Sequence, residues 1–330
     1  VALHALAQQH HGLQTSTIGE ANGMARTFTL KAPNQEELLG TPGDDLVRGS
    51  TRRQRVINGR RGVIRLLGGA DTITGRRTIE LFGATSVGPG RDRIEAERQI
   101  TLLAVDDWNG SLETGKGSDA LVVSQGELLI GEDSGVLTGS GKDTVEAEHL
   151  ALIGGFLSTG PGKDAIRIGS AGVFTGIATI DLGNGNDRLS SQGTLRLTEG
   201  GMTTGKGDDA VDALAGGLDL WAYGRLALGA GDDLLRGFAT APPESLNDDL
   251  IGTVRGGKGT DTLVLPPGRY TVENTAPGPG SDPAVLKIST ADTFLLVSGM
   301  NALAGLQGGR ERLELGTFVV NDQGIGGFLG

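Results

Sequence analysis

Aliphatic and polar residues alternate in short bursts along most of this chain, and glycines separate the bursts. After Asp164, Ala165-Ile166-Arg167-Ile168 alternates, followed by Gly172-Val173-Phe174 and Ile177-Ala178-Thr179-Ile180-Asp181-Leu182. After Asp187 the order repeats with Arg188-Leu189, Thr194-Leu195-Arg196-Leu197 and Met202-Thr203-Thr204. Period-two alternation over so few residues predicts half-buried strands, three to a repeat, with aliphatics on one face and Arg, Thr or Ser on the other. Frequent glycines and β-branched residues argue against helices. Gly126, Gly172, Gly193, Gly200 and Gly201 are expected at corners between strands.

A glycine-rich turn ending in aspartate closes each repeat. The clean copies are Gly88-Pro89-Gly90-Arg91-Asp92, Gly115-Lys116-Gly117-Ser118-Asp119, Gly139-Ser140-Gly141-Lys142-Asp143 and Gly160-Pro161-Gly162-Lys163-Asp164. They continue as Gly183-Asn184-Gly185-Asn186-Asp187, Gly205-Lys206-Gly207-Asp208-Asp209, Gly229-Ala230-Gly231-Asp232-Asp233 and Gly257-Lys258-Gly259-Thr260-Asp261. Looser copies end at Asp45 and Asp71. Successive aspartates lie 21 to 28 residues apart. Such a period marks a solenoid whose repeats bury apolar faces only against their neighbours. The expected fold is therefore all-β: a parallel β-helix or β-roll, right- or left-handed, with one Gly-x-Gly-x-Asp turn per coil. The array is expected over 38–265. Residues 1–37 read as a non-repeating arm or cap, with Thr27-Phe28-Thr29-Leu30 a strand. Ala239 to Asp249 reads as an inserted loop around Pro242-Pro243. Residues 266–330 read as a β-rich cap or assembly region.

Composition fits a long thin core. The chain has 330 residues, 58 of them glycine without a Gly-X-Y period, with 37% hydrophobic and only 4% aromatic residues. A net charge of −11 makes nucleic acid and anionic membrane poor partners and cations good ones. With no cysteine, disulfides and thiolate metal sites are excluded. No apolar run is long enough for a membrane-spanning helix, and no cleavable signal is visible.

Stacking places ten carboxylates at one corner, about 4.8 Å apart. Each neighbouring pair then repels by about 3 kcal/mol at an effective dielectric near 20. Calcium, a hard cation that takes six to eight oxygens, is the natural counter-charge. The candidate ligands are the ten aspartates and the carbonyls of the turn glycines from Gly90 to Gly259, which glycine's freedom lets turn inward. Arg91, Lys116, Lys142, Lys163, Lys206 and Lys258 offer another neutralisation, by pairing with aspartates of neighbouring coils.

Gly-x-Gly-x-Asp followed by an aliphatic, as in Asp164-Ala165-Ile166, Asp187-Arg188-Leu189, Asp233-Leu234-Leu235 and Asp261-Thr262-Leu263, resembles the calcium-binding repeat of RTX (haemolysin-type) exported proteins. Leu39-Gly40-Thr41-Pro42-Gly43-Asp44-Asp45-Leu46-Val47-Arg48-Gly49 looks most like a repeat opening of that family. The resemblance covers about two-thirds of the chain. It implies calcium between adjacent turns, held by aspartate carboxylates and glycine carbonyls, with one-step secretion and folding outside the cell. The chain departs from the family in carrying the motif once per long coil rather than in tandem nonapeptides, and in its basic turn residues.

Other candidates are weaker. His4, His10 and His11 read as part of a mobile polar lead rather than a metal site, and His149 as a surface residue. Thr114, Thr138, Thr159 and Thr204 each precede the turn and form a row; a hydroxyl ladder within the stack explains it better than an ice- or polymer-binding face. Trp108 and Trp221-Ala222-Tyr223 are the aromatic platforms of the array, the latter expected on one strand face as a modest glycan contact. Asp106-Asp107 and Asp212 have no histidine nearby in sequence, so an enzyme is not expected. The expected function is that of a secreted calcium-binding structural protein of a bacterial cell surface. It would polymerise end to end or by strand donation, or form an adhesin rod, with surface glycans as further partners. The alternatives are a soluble RTX-like module and a β-helix polysaccharide-active enzyme.

Overall fold

The computed structural model describes residues 25–30, 33–34, 36–49, 55–105, 109–240, 252–275 and 285–329. The lead with His4, His10 and His11, the stretch Asp106 to Trp108 and the loop at Pro242-Pro243 lie outside them. Among the described residues there is no helix, and the strands stack in parallel into a three-sided solenoid.

One coil shows the plan. Ala165–Thr175 runs along the first face, rounds a corner and continues as the second. Thr179–Asp181 forms the third face, and Asn184–Gly185 makes a short pairing inside the glycine turn. Arg188–Ser191 then opens the next coil. Parallel pairing in register sets equivalent side chains directly above one another. On the first face Val47, Ile73, Ile94, Leu121, Val145, Ile166, Leu189, Val211, Leu235 and Leu263 form a continuous buried row. A matching row on the third face runs through Leu112, Val136, Leu157, Ile180, Met202 and Leu226. The core is therefore long and thin, as the scarcity of aromatics requires.

The uneven period has a local cause. The corner between the first and second faces holds three residues after Val123, one after Ala147 and two after Ile168, while the faces keep register. The next corner turns on a left-handed residue, and here the glycine expectation needs correction. The positions are Asp133, Gly154, Gly176, Glu199 and Ala222, with φ of 54°, 70°, 66°, 59° and 47°. Gly172 is no corner: it lies buried on the second face between Leu150 and Leu195, where a Cβ would crowd Ile168, Leu195 and the Phe174 ring. Trp221 ends the strand Leu218–Trp221, and Tyr223 follows in a turn with φ of 68°. The two rings therefore do not share a strand face.

Both ends of the stack reach beyond 38–265. Thr27–Leu30 pairs in parallel with Leu46–Gly49 on the first face. At the other end Phe294–Ser298 continues the third face and Ala302–Gly305 the first. The described residues 266–275 and 285–293 leave the stack between them, and antiparallel strands Gly268–Asn274, Leu286–Ser289, Gly308–Arg312, Gly316–Val320 and Gly326–Phe328 pack around this end. Tyr270 is buried there, its hydroxyl donating to Pro266 O at 2.8 Å and its ring edge-on to Phe238 at 5.0 Å.

Close stacking makes the turn glycines obligatory. A Cβ on Gly141, whose φ is 151°, would sit 1.3 Å from Gly117 O, whereas one on Gly201 would meet nothing within 4 Å. Gly141→Ala should therefore destabilise the protein by at least about 2 kcal/mol. Gly201→Ala should stay within about 1 kcal/mol of wild type. Thermal denaturation of the two variants checks the contrast.

Candidate metal centre

The glycine turns carry all ten aspartates to the inside of the solenoid, where Asp45, Asp71, Asp92, Asp119, Asp143, Asp164, Asp187, Asp209, Asp233 and Asp261 are each at most 2% exposed. Their Oδ1 atoms form a ladder. Each accepts the backbone N–H of the aspartate one coil earlier, as from Asp45 to Asp71 at 2.6 Å, Asp143 to Asp164 at 2.7 Å and Asp209 to Asp233 at 2.8 Å. The contact lengthens to 3.2 Å between Asp233 and Asp261. The Arg26 N–H starts the ladder by donating to Asp45 Oδ1 at 2.7 Å. At the far end Asp261 N–H donates to Asn301 Oδ1 at 2.8 Å.

Asn301 escaped the sequence reading, although Gly299-Met300-Asn301-Ala302-Leu303 repeats the spacing of Gly259-Thr260-Asp261-Thr262-Leu263. An outer row one residue before the ladder was missed as well. Asp44, Asn186, Asp208 and Asp232 accept through Oδ1 from the N–H groups of Ala70, Asp208, Asp232 and Thr260.

The second carboxylate oxygen is the feature that calls for a partner. Oδ2 of Asp71, Asp92, Asp119, Asp164, Asp187, Asp209, Asp233 and Asp261 is buried with no donor at hydrogen-bond distance. The Thr114, Thr159 and Thr204 hydroxyls lie beside Asp119, Asp164 and Asp209 but donate to carbonyls. Asp45 and Asp143 differ: Oδ2 of the first accepts from Thr41 N at 2.5 Å, and Oδ2 of the second from Thr138 Oγ1 at 2.8 Å. Leaving such an atom unpaired is costly, and more so when it is charged.

The basic turn residues do not fill the gap. Arg91, Lys116, Lys142, Lys163, Lys206 and Lys258 are exposed, and none forms an ion pair with a ladder aspartate. The reason is topological: the turn points these side chains outward and the aspartates inward. The glycine carbonyls also differ from the inward-turned arrangement expected. Those of Gly115, Gly183 and Gly205 run along the stack and accept N–H groups of Ser140, Lys206 and Ala230, each at 2.9 Å. Gly139, Gly160, Gly229 and Gly257 continue that column, and Gly90, Gly117, Gly141, Gly162, Gly185, Gly207, Gly231 and Gly259 stack in a second one beside it. Among the described residues no three acidic or histidine side chains converge on one point. The donors are strung along the axis instead.

Burial raises the ladder carboxyls. Asp71, Asp143 and Asp209 rise to about 6 and Asp92, Asp164 and Asp233 to about 7, while Asp119, Asp187 and Asp261 rise as well. The N–H bonds from the preceding coil pull the other way without overcoming burial, and neighbouring aspartates add repulsion at Asp92, Asp164 and Asp233. The threonine row is internal. Thr114, Thr138, Thr159 and Thr204 are at most 1% exposed, and each hydroxyl donates to a carbonyl of the next coil. It cannot present a binding face. His149 is exposed, as expected.

No protein-family model and no curated protein matches the chain. Among solved structures it is similar to a hyperactive, Ca2+-dependent, β-helical antifreeze protein from an Antarctic bacterium, at 16% identity over 73% of this chain and 83% of that one, with a TM-score of 0.33.

The raised values fix a sign for the metal-free protein. The folded ladder holds protons that the unfolded chain releases above about 4, so its contribution is lost as pH rises through about 6 to 7. In chelator, the melting temperature should be higher at pH 5 than at pH 8. A flat or rising profile across that interval, followed by circular dichroism, would contradict the assignment.

Proposed function

We propose that this chain is a calcium-loaded structural rod working outside a bacterial cell, as part of a surface layer or matrix or as an adhesin stalk, without enzymatic activity. The observation that carries the reading is the row of eight buried carboxylate oxygens with no partner. Such oxygens suit a hard cation, and calcium accepts carboxylates, carbonyls and hydroxyls alike. The aspartates from Asp71 to Asp261 would hold it through the Oδ2 atoms that face inward. Bound calcium supplies the positive charge that lets the ladder ionise inside the coil. Calcium is abundant outside cells, which couples folding of such a rod to export.

A stack of in-register coils is stiff, and its mechanical role follows from that. Among the described residues Thr27–Leu30 and Glu37–Leu39 each pair with a strand on one side only, whereas antiparallel strands pack around the C-terminal end. End-to-end contact or strand donation would therefore use the N-terminal edge. Surface glycans remain candidate ligands through exposed groups such as Tyr223, 61% exposed.

Calcium should raise the melting temperature at pH 8, and excess chelator should reverse the gain. Asp164→Asn sharpens the test, because Asn301 already serves as a ladder acceptor. In chelator at pH 8 the variant should melt no lower than wild type, since it removes a buried charge. In calcium it should melt lower and gain less from the ion. Equal losses with and without calcium would mean that the carboxylate serves only as a hydrogen-bond acceptor.

A further inference from the structure

The coils from Arg48 to Arg98 carry twelve arginines and no lysine against five acids, Asp71, Glu80, Asp92, Glu95 and Glu97. In a chain of net charge −11 this is a basic belt. Asp71 and Asp92 belong to the buried ladder, so the outer surface is more basic than the count suggests. The adjoining coils reverse the sign: residues 101–150 hold ten acids, eight of them besides the buried ladder members Asp119 and Asp143, against Lys116 and Lys142.

Belt and acidic band share one edge of the rod, the corner between the first and second faces. Arg76 and Arg77 stand there, and Arg98 stacks on them, its N–H donating to Arg77 O at 2.9 Å. On the same corner Glu127 N–H donates to Arg98 O at 3.0 Å, and in the next coil Glu146 and Glu148 flank Ala147, in line with Val122 and Val123. The three arginines, Glu146 and Glu148 are exposed and Glu127 half-buried. None of the six forms an ion pair with a described residue, whereas Arg55, Arg65 and Arg93 are tied to Glu80, Glu37 and Glu95. A cavity of about 450 Å³ opens on this edge beside Arg76, Glu97 and Ser124. One edge therefore presents cations followed along the axis by anions, none of them in an ion pair with a described residue; Glu127 accepts only the neutral Gln99 amide, at 3.3 Å.

We infer that two copies of this chain pair side by side and antiparallel along this edge. A parallel copy in register sets like charge on like. An antiparallel copy sets each basic belt on the other's acidic band at once, and this two-fold contact closes on itself. Arginine suits the task, because its planar fork meets a carboxylate through two hydrogen bonds. Each exposed pair is worth at most about 1 kcal/mol and is screened by salt, so the pairing is salt-sensitive. The inference rests on the rod reading above but not on its metal.

Sedimentation of the full chain in calcium tests it. In about 20 mM salt, where screening is weak, the mass should be twice 33.8 kDa. In about 0.5 M salt, where charges interact over only a few Å, it should fall to one chain. Arg76→Glu with Arg77→Glu and Arg98→Glu should stay monomeric in low salt, as should Glu127→Arg with Glu146→Arg and Glu148→Arg. Mixing these two triple variants should restore a dimer, because belt and band are then opposite in charge in both contacts. A single-chain mass for wild type in low salt, or no pairing in the mixture, overturns the inference. So does a monomer whose belt instead binds polygalacturonate. Circular dichroism of the same samples keeps the outcomes apart: a folded, calcium-responsive monomer sinks the pairing and leaves the rod reading intact.

Discussion

The bond from one aspartate's backbone N–H to the next aspartate's Oδ1 holds the glycine corner of this solenoid in register. A charged acceptor makes each rung worth about 1.5–3 kcal/mol. Bringing the carboxylate inside also buries Oδ2, at a cost of about 1–3 kcal/mol or more if it stays charged and unpaired. The two effects nearly cancel, so the state of Oδ2 decides whether the corner helps or harms the fold. A proton satisfies it in mild acid and a cation can do so at neutral pH. On this account the corner, and not the apolar rows of the faces, is where solution conditions should act on stability.

The surrounding features follow from that constraint. Coils this close leave no room for a Cβ, hence glycine at 117, 141 and 185, where a Cβ would come within 1.4 Å of the neighbouring carbonyl. Threonine before the turn supplies hydroxyls to carbonyls of the next coil and, at Thr138, to the carboxylate itself. The ladder ends in an amide, Asn301, which accepts the last N–H without adding charge. Antiparallel strands pack around that end, and apolar rows on the three faces complete the core.

Much of this was legible in the sequence because the solenoid repeats itself. Alternation located the strands after Asp164 and Asp187, and the recurring Gly-x-Gly-x-Asp fixed one coil per repeat. What escaped was set by contacts between coils. Gly172 looks like a corner but is a core position completed by Phe174, whereas Glu199 and Ala222 turn corners without being glycine. The direction of Lys116 relative to Asp119 depends on how the turn folds, so spacing alone left their pairing open. Asn301 stayed hidden because residues 266–293 interrupt the period and asparagine replaces the aspartate.

Calcium bound per chain, measured by equilibrium dialysis at pH 8, bears most directly on the central claim that the unpartnered Oδ2 row is completed by a cation. The account predicts several ions per chain, with uptake accompanied by release of protons from the ladder. Fewer than one ion per folded chain would contradict it, leaving the aspartates as a proton-sharing ladder in a metal-independent rod.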